Sequence, residues 1–407
     1  MENRYDKYKD SGIAWIGEIP EHWEVKKGKN LFKKEERPVR DNDEIVTCFR
    51  DGEVTLRSNR RIDGFTNAMK EVGYQGVRRG DLVIHNMDAF AGAIGVSDSD
   101  GKSTPVYSVC TPKNNVEANV YYYAYLLRSY ALGGVIQSLA KGIRERSTDF
   151  RYKEFGDLYY QQPPIEEQQS IASYLDQKCG EIDKLITLQE EMITKLQSYK
   201  QSVITEAVTK GLDKNVPLKD SGIEWIGEIP EHWSVVKIKY LAKIKSGDSI
   251  SSNEIMQEGI YEVYGGNGLM GFCNKKNVDG VNIIIGRVGA LCGNVRLISE
   301  SKFITDNALI LNCFDNAFYS YMYIMLKAAN LNNLNTSNAQ PLITGSKVLN
   351  VSLPIPPLSE QQSIADYLDQ KCSEIDELIS IKQQKIEKLK DYKKSLIFEC
   401  VTGKRKV

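Results

Sequence analysis

Histidine is scarce in this sequence. Its 407 residues contain three, His22, His85 and His232. General acid–base catalysis uses histidine more than any other side chain, and two of the three sit inside a duplicated segment, so little is left for that chemistry. The eight cysteines form no Cys-x-x-Cys pair, which removes the usual spacings of zinc and dithiol redox centres; reduced, partly buried thiols in a cytoplasmic protein are expected. No apolar run is long enough to span a bilayer, and the N-terminus lacks a signal-peptide pattern, so no membrane association is expected. An excess of charge is missing too: 53 Lys and Arg stand against 54 Asp and Glu, so any nucleic-acid face has to be local. Cofactor signatures are absent. Gly101-Lys102-Ser103 would need a glycine at position 96 to complete a P-loop, and Val96 stands there. The residues before the two Pro-Pro pairs, Gln162 and Ile355, exclude the Asn/Asp-Pro-Pro-aromatic motif of methyltransferases.

What the sequence does have is duplication, the first thing to settle in any chain. The segment starting Pro163-Pro164-Ile165-Glu166-Glu167-Gln168-Gln169 returns 193 residues later, at Pro356, and 19 of 24 positions are identical between 163–186 and 356–379. A second segment, 9–25, returns at 219–235 with 15 of 17 positions identical, and the two copies hold all four tryptophans, Trp15, Trp23, Trp225 and Trp233. Tryptophan, glycine and proline in an irregular segment point to a packed clasp rather than a ligand site. The chain therefore reads as Trp motif, variable domain and long helix, each given twice. The divisions are 1–162, 163–212, 213–355 and 356–407.

Both 163–209 and its copy have helical periodicity. Ile171, Leu175, Ile182, Leu185, Met192, Leu196, Tyr199 and Val203 follow alternating steps of four and three, a heptad seam with Lys178 and Gln189 as polar members. Ile364, Leu368, Ile375, Leu378, Leu389, Tyr392 and Leu396 repeat it. Cys179, Ile186 and Ile193, with Cys372, Ile379 and Ile386, widen the stripe, and Ile186, Ile193, Ile379 and Ile386 are the expected docking positions for partner subunits. Ser359 and Gln362 have capping-box spacing. A helix over 166–209 would be about 66 Å long at ~1.5 Å per residue. The intervening 213–355 is too small to bridge parallel helices of that length, so antiparallel packing is expected.

The variable domains read as mixed α/β. Strands are expected at 44–49, 81–85 and 106–109 in the first and at 281–286, 295–298 and 308–313 in the second, with helices at 120–129 and 318–328. Basic residues cluster at Arg57, Arg60 and Arg61, at Arg78 and Arg79, and at Lys141, Arg144, Arg146, Arg151 and Lys153; the second domain has Lys275, Lys276, Arg287 and Arg296, and an amide-rich stretch with Asn335 and Asn338. Arginine suits phosphate contacts and guanine, and asparagine suits adenine, so these residues are candidates for contact with double-stranded DNA.

The Pro-Pro-x-x-Glu-Gln helix starts, the Gly-Ile-x-Trp-Ile-Gly-Glu-Ile-Pro-x-x-Trp segments and the 264–271 and 305–311 stretches together resemble the specificity subunit of type I restriction–modification systems, over essentially the whole chain. The resemblance implies an α/β fold class with two target recognition domains, each reading one half of a split DNA site, separated by two antiparallel helices forming a coiled coil. It implies two modification (methyltransferase) subunits docked on those helices, and restriction subunits in the full complex. It implies no cofactor and no metal on this chain. S-adenosylmethionine belongs to the modification subunits, and ATP with Mg2+ to the restriction subunit. The specificity module of another restriction class, or a coiled-coil scaffold for protein partners, are the other readings.

Overall fold

The computed structural model describes residues 4–60, 72–139, 149–289, 291–314, 319–335 and 341–407. The chain divides into two units, 1–189 with 384–407, and 190–383. Each unit contains one variable domain and one half of each long helix.

In the first unit, β1 (Phe32–Lys34), β2 (Leu82–His85), β3 (Ile94–Val96) and β4 (Tyr107–Pro112) form an antiparallel sheet in the order β1-β4-β2-β3. Alternation decides its two faces. Leu82 and Ile84 join the aromatic core beneath helix α1 (Val120–Leu132), while Val83 and Val109 pack on the other side with Val46 and Val54. Asn119 caps α1 by accepting from the amides of Tyr121 and Tyr122. Two short strands then bind the domain to its frame: Glu24–Lys27, after the Trp motif, pairs antiparallel with Tyr159–Gln162, just before the prolines.

Helix α2 runs through Ile165–Lys210. The second domain repeats the first. β5 (Ala242–Ser246), β6 (Asn282–Gly286), β7 (Val295–Ile298) and β8 (Ala308–Cys313) have the corresponding order, β5-β8-β6-β7, beneath α3 (Tyr319–Ala328). Ser234–Lys237 pairs with Ser352–Ile355 as its counterparts do. The additions differ. The first domain carries the pairs Val46–Cys48 with Val54–Leu56 and Gln75–Val77 with Gly101–Ser103; the second carries a three-stranded sheet of Tyr261–Gly265, Gly268–Cys273 and Phe303–Ile304. Gly101-Lys102-Ser103 is thus strand, not a phosphate loop.

Helix α4 (Leu358–Val401) completes both units. It starts at Leu358, so Ser359 falls in its first turn and the expected capping box does not form. Both helices end on a left-handed glycine, Gly211 and Gly403, each at φ +73°. Glycine is needed at position 403 twice over, because a Cβ there would lie 2.4 Å from Pro20 Cδ.

The helices pair antiparallel within each unit, along a seam that differs from the expected one. In the first unit Leu175, Cys179, Ile182, Ile186 and Gln189 turn inward, with Ile386, Leu389, Leu396 and Cys400 of α4. In the second, Ile193, Leu196, Val203 and Ala207 do so, with Ile364, Leu368, Ile375 and Ile379. The seam's expected companions Leu185, Met192 and Tyr199 are exposed. The docking candidates Ile186, Ile193, Ile379 and Ile386 are therefore seam residues, half-buried or buried within their own units. Read from sequence as a stripe beside the seam, they belong to the seam itself: each seam Ile sits where burial contributes up to ~1.5–3 kcal/mol, in proportion to the area it loses to solvent.

Candidate nucleic-acid interface and helix clasp

The Trp motif closes on the start of its own repeat's helix. Trp23 is fully buried, and its Nε1 donates to Glu167 Oε2 at 3.0 Å, while His22 Nε2 lies 2.6 Å from Glu167 Oε1. Trp233 and His232 hold Glu360 in the same way, at 3.0 and 2.7 Å. The first acidic residue shared by both Pro-Pro-x-x-Glu-Gln starts is thus the anchor of a clasp, and the histidines are its neighbours. The first copy has one bond more: Tyr5 donates to Glu167 Oε2 at 2.9 Å, its ring edge-on to Trp23. Burial alone would raise the Glu167 pKa, but the bonds from Trp23, His22 and Tyr5 outweigh it and hold the carboxyl below its usual 4.5. The clasp was expected from the Trp motif; its carboxylate partner was not, because nothing in the sequence links residues 23 and 167.

With the seam turned inward, another apolar stripe is left outside. Leu185 and its repeat counterpart Leu378 are 44% and 46% exposed, and Tyr199 and Tyr392 are 57% and 50% exposed. Leu188 and Ile381, also counterparts, are exposed as well.

The DNA candidates fall into several environments. Arg61, Lys141, Arg144, Arg146 and Asn338 lie outside the described residues. Arg78 is committed to its own domain. Its Nη1 lies 3.1 Å from Asp43 Oδ2 and donates to the carbonyls of Val77 (2.7 Å) and Gly101 (3.0 Å), so this DNA candidate is engaged by its own domain. Arg60 pairs with Asp51 and Glu53 and stacks over Phe49. Arg57 is half-buried, with Nε 3.4 Å from Thr47 Oγ1. Arg79 is exposed, and only its backbone amide engages Asp100. Lys275 pairs with Glu254 and Lys276 with Asp279, both at the surface, where such pairs hold loosely. Asn335 Oδ1 accepts from the Leu342 amide. Arg287 follows β6 and Arg296 lies on β7: Arg296 donates to Asn267 O at 2.7 Å, and Arg287 Nη1 stands 3.4 Å from both Ser246 Oγ and Asp306 O.

A cleft of about 920 Å³ opens on the first domain at the end of β2 and the start of β4. Lys34, Arg151 and Lys153 supply positive charge, with Asp149 paired to Arg151; Tyr107 and Tyr152 supply aromatic surface, and Asn86 and Ser108 polar floor. Arg151 and Lys153 belong to the basic cluster read from sequence. Lys34 and Asn86 do not: one ends a short edge strand, and the other is a single amide with no pattern around it.

Residues 230–391 match the family model described as the type I restriction modification DNA specificity domain. The chain is 28% identical, over 96% of its own length and 96% of the relative's, to a protein of Methanocaldococcus jannaschii described as the type I restriction enzyme MjaX specificity subunit. It is 26% identical to that organism's type I restriction enzyme MjaVIII specificity subunit, over 72% of each chain. Among solved structures, a chain from a type I restriction–modification system superposes with a TM-score of 0.73 at 16% identity, covering 94% of this chain and 98% of the other. The HsdS subunit of Thermoanaerobacter tengcongensis gives 0.55 at 17% identity, covering 95% and 98%. The fold agrees with these neighbours, and within the described residues no helix is long and apolar enough to cross a membrane. The frame repeated twice in the sequence, the fold and the matches converge: the chain is similar over nearly its whole length to type I restriction–modification specificity subunits, and 230–391 match their DNA specificity domain.

Proposed function

We propose that this chain selects the DNA site of a type I restriction–modification complex, each variable domain reading one half of a bipartite sequence and the helices docking two modification subunits. One observation carries the reading. Two sheets of the same strand order are held by the same Trp–Glu clasp on helices that start nearly alike, yet the additions to those sheets differ between domains. A frame kept constant while its cargo varies fits two independent half-sites. The exposed stripe supports docking. Leu185, Leu188 and Tyr199 recur at Leu378, Ile381 and Tyr392 with similar exposure, so whatever covers one set fits the other, giving two copies of one partner. In this reading the chain is non-catalytic and binds no cofactor. Methyl transfer from S-adenosylmethionine lies with the modification subunits, and ATP-dependent steps with the restriction subunits.

The test is reconstitution. The chain co-expressed with its modification subunits methylates a split motif, and the homogeneous chain alone transfers no methyl group to DNA. Methylation by the isolated chain, or a complex that methylates without sequence preference, overturns the reading.

A further inference from the structure

The two variable domains share little sequence, yet one position in each is held by the same backbone bonds. Asn86 follows the last residue of β2, and Arg287 follows the last residue of β6. The amide of Asn86 donates to Val106 O at 2.9 Å, and that of Arg287 to Asn307 O at 3.0 Å. The carbonyl of Asn86 accepts from Phe150 N, and that of Arg287 from Ile343 N, both at 2.9 Å. The neighbouring registers agree as well: His85 faces Tyr107 as Gly286 faces Ala308. The backbone is thus fixed from both sides while the side chain differs.

Each side chain is poised to donate outward. Asn86 is 93% buried (7% exposed) on the floor of the 920 Å³ cleft. Ser108 donates to its Oδ1 at 2.8 Å, which orients the amide and leaves Nδ2 without a partner among the described residues. Lys34, Arg151 and Lys153 rim the same cleft with Asp149, which pairs with Arg151 and leaves the rim with an excess of positive charge. Among the described residues Arg287 makes two long contacts, both from Nη1 at 3.4 Å, which leaves its other donors without a partner there. A buried, oriented donor beneath a basic rim matches an acceptor on a base edge with phosphates alongside.

We infer that Asn86 and Arg287 are equivalent base-reading positions, one per domain, each donating to an acceptor edge in the major groove of its own half-site. This rests on the DNA-selection reading above and adds the residues that do the selecting. Arginine at this position favours guanine O6 and N7. The Asn86 amide, with Oδ1 already engaged, donates from Nδ2 to a single acceptor.

The experiment uses the full chain assembled with its modification subunits, with methylated motifs mapped across a genome and binding measured against duplexes randomised at one position at a time. Arg287→Ala should relax one base pair in one half-site, losing roughly tenfold to hundredfold discrimination there, and Asn86→Ala should do so in the other half only. Asn86→Asp keeps the shape and the Ser108 bond but turns the outward donor into an acceptor, so it should change the preferred base rather than only relax it. Affinity lost equally for all sequences, or a motif unchanged in variants that fold and bind, overturns the inference while leaving the DNA-selection reading intact. A wild-type complex with no sequence preference would reject the underlying reading instead.

Discussion

Lys393 donates to both carboxylate oxygens of Asp183 at 2.7 Å, joining α4 to α2 in the first unit. Their repeat counterparts form the same pair with the helices exchanged: Lys200, on α2, donates to Asp376, on α4, at 2.7 and 2.6 Å. Asp183 and Lys200 lie 17 residues apart on one helix, about 26 Å at ~1.5 Å per residue, so reciprocal pairs between these positions require the two like helices to run antiparallel. The carboxylates are more than half exposed, so each bridge contributes at most about 1 kcal/mol and serves register more than stability. Asp183→Lys should lower the urea midpoint by an amount equivalent to about 0.5–1 kcal/mol, and adding Lys393→Asp should restore most of it. High salt should shrink the difference.

The clasp gives a pH-dependent expectation. Because bonding holds the Glu167 pKa below 4.5 in the folded chain, its contribution is present above that value and is lost as pH falls through the lower folded one. Glu167→Gln should therefore reduce thermal stability at pH 7, and the gap from wild type should close at strongly acidic pH. Glu360→Gln should cost less, because Glu360 takes bonds from Trp233 and His232 but has no counterpart of Tyr5. Melting curves of both variants from pH 3 to 8 check this.

The two stripes on the helices are separable. Leu185→Glu with Leu378→Glu alters the exposed stripe, and should leave the melting temperature of the free chain nearly unchanged while weakening co-purification with modification subunits. Ile186→Glu with Ile379→Glu puts charge into the seam and should destabilise the free chain by several kcal/mol. Equal effects of the two pairs on chain stability would contradict the assignment of faces.

The recognition domains should be exchangeable. Replacing 236–355 with the corresponding part of another specificity subunit, joined inside the matched repeats, should change one half of the methylated motif and leave the other intact. Methylome mapping of the hybrid decides it.

How far the sequence could be read depended on the kind of signal. Strands with continuous apolar runs were legible: 281–286 and 308–313 were expected and appear as Asn282–Gly286 and Ala308–Cys313. Edge strands were not, because Phe32–Lys34 is only three residues long and both it and Ala242–Ser246 are rich in lysine. In the helices, Leu175, Ile182, Leu196 and Val203 were placed correctly on the seam. Their companions were not. Leu185, Met192 and Tyr199 are apolar and fit the 3.5-residue period but stay exposed, whereas Cys179, Ile186 and Ile193, read as widening the stripe, turn inward beside Gln189. Two apolar stripes share each helix, and periodicity cannot say which meets the partner helix. For the DNA candidates, a cluster of arginines in sequence does not reveal which are consumed by carboxylates. Asp43, next to Arg78 in space, is 35 residues away along the chain.

Each unit borrows its last layer from the other repeat. The core around Trp23 and Tyr122 is closed by Leu396, Cys400 and Val401, and Tyr122 donates to Val401 O at 3.0 Å. The second unit uses Val208 of α2 against Trp233 and Tyr321 in the corresponding role. A chain ending after Gly211 would carry a whole recognition domain with one wall missing, and a spare wall of the right shape on its own helix. Such a half-length chain is self-complementary: two copies can each complete the other, with Lys200 of one copy meeting Asp183 of its mate. Duplication in tandem thus turns a homodimer into a single polypeptide, and frees its two recognition domains to diverge.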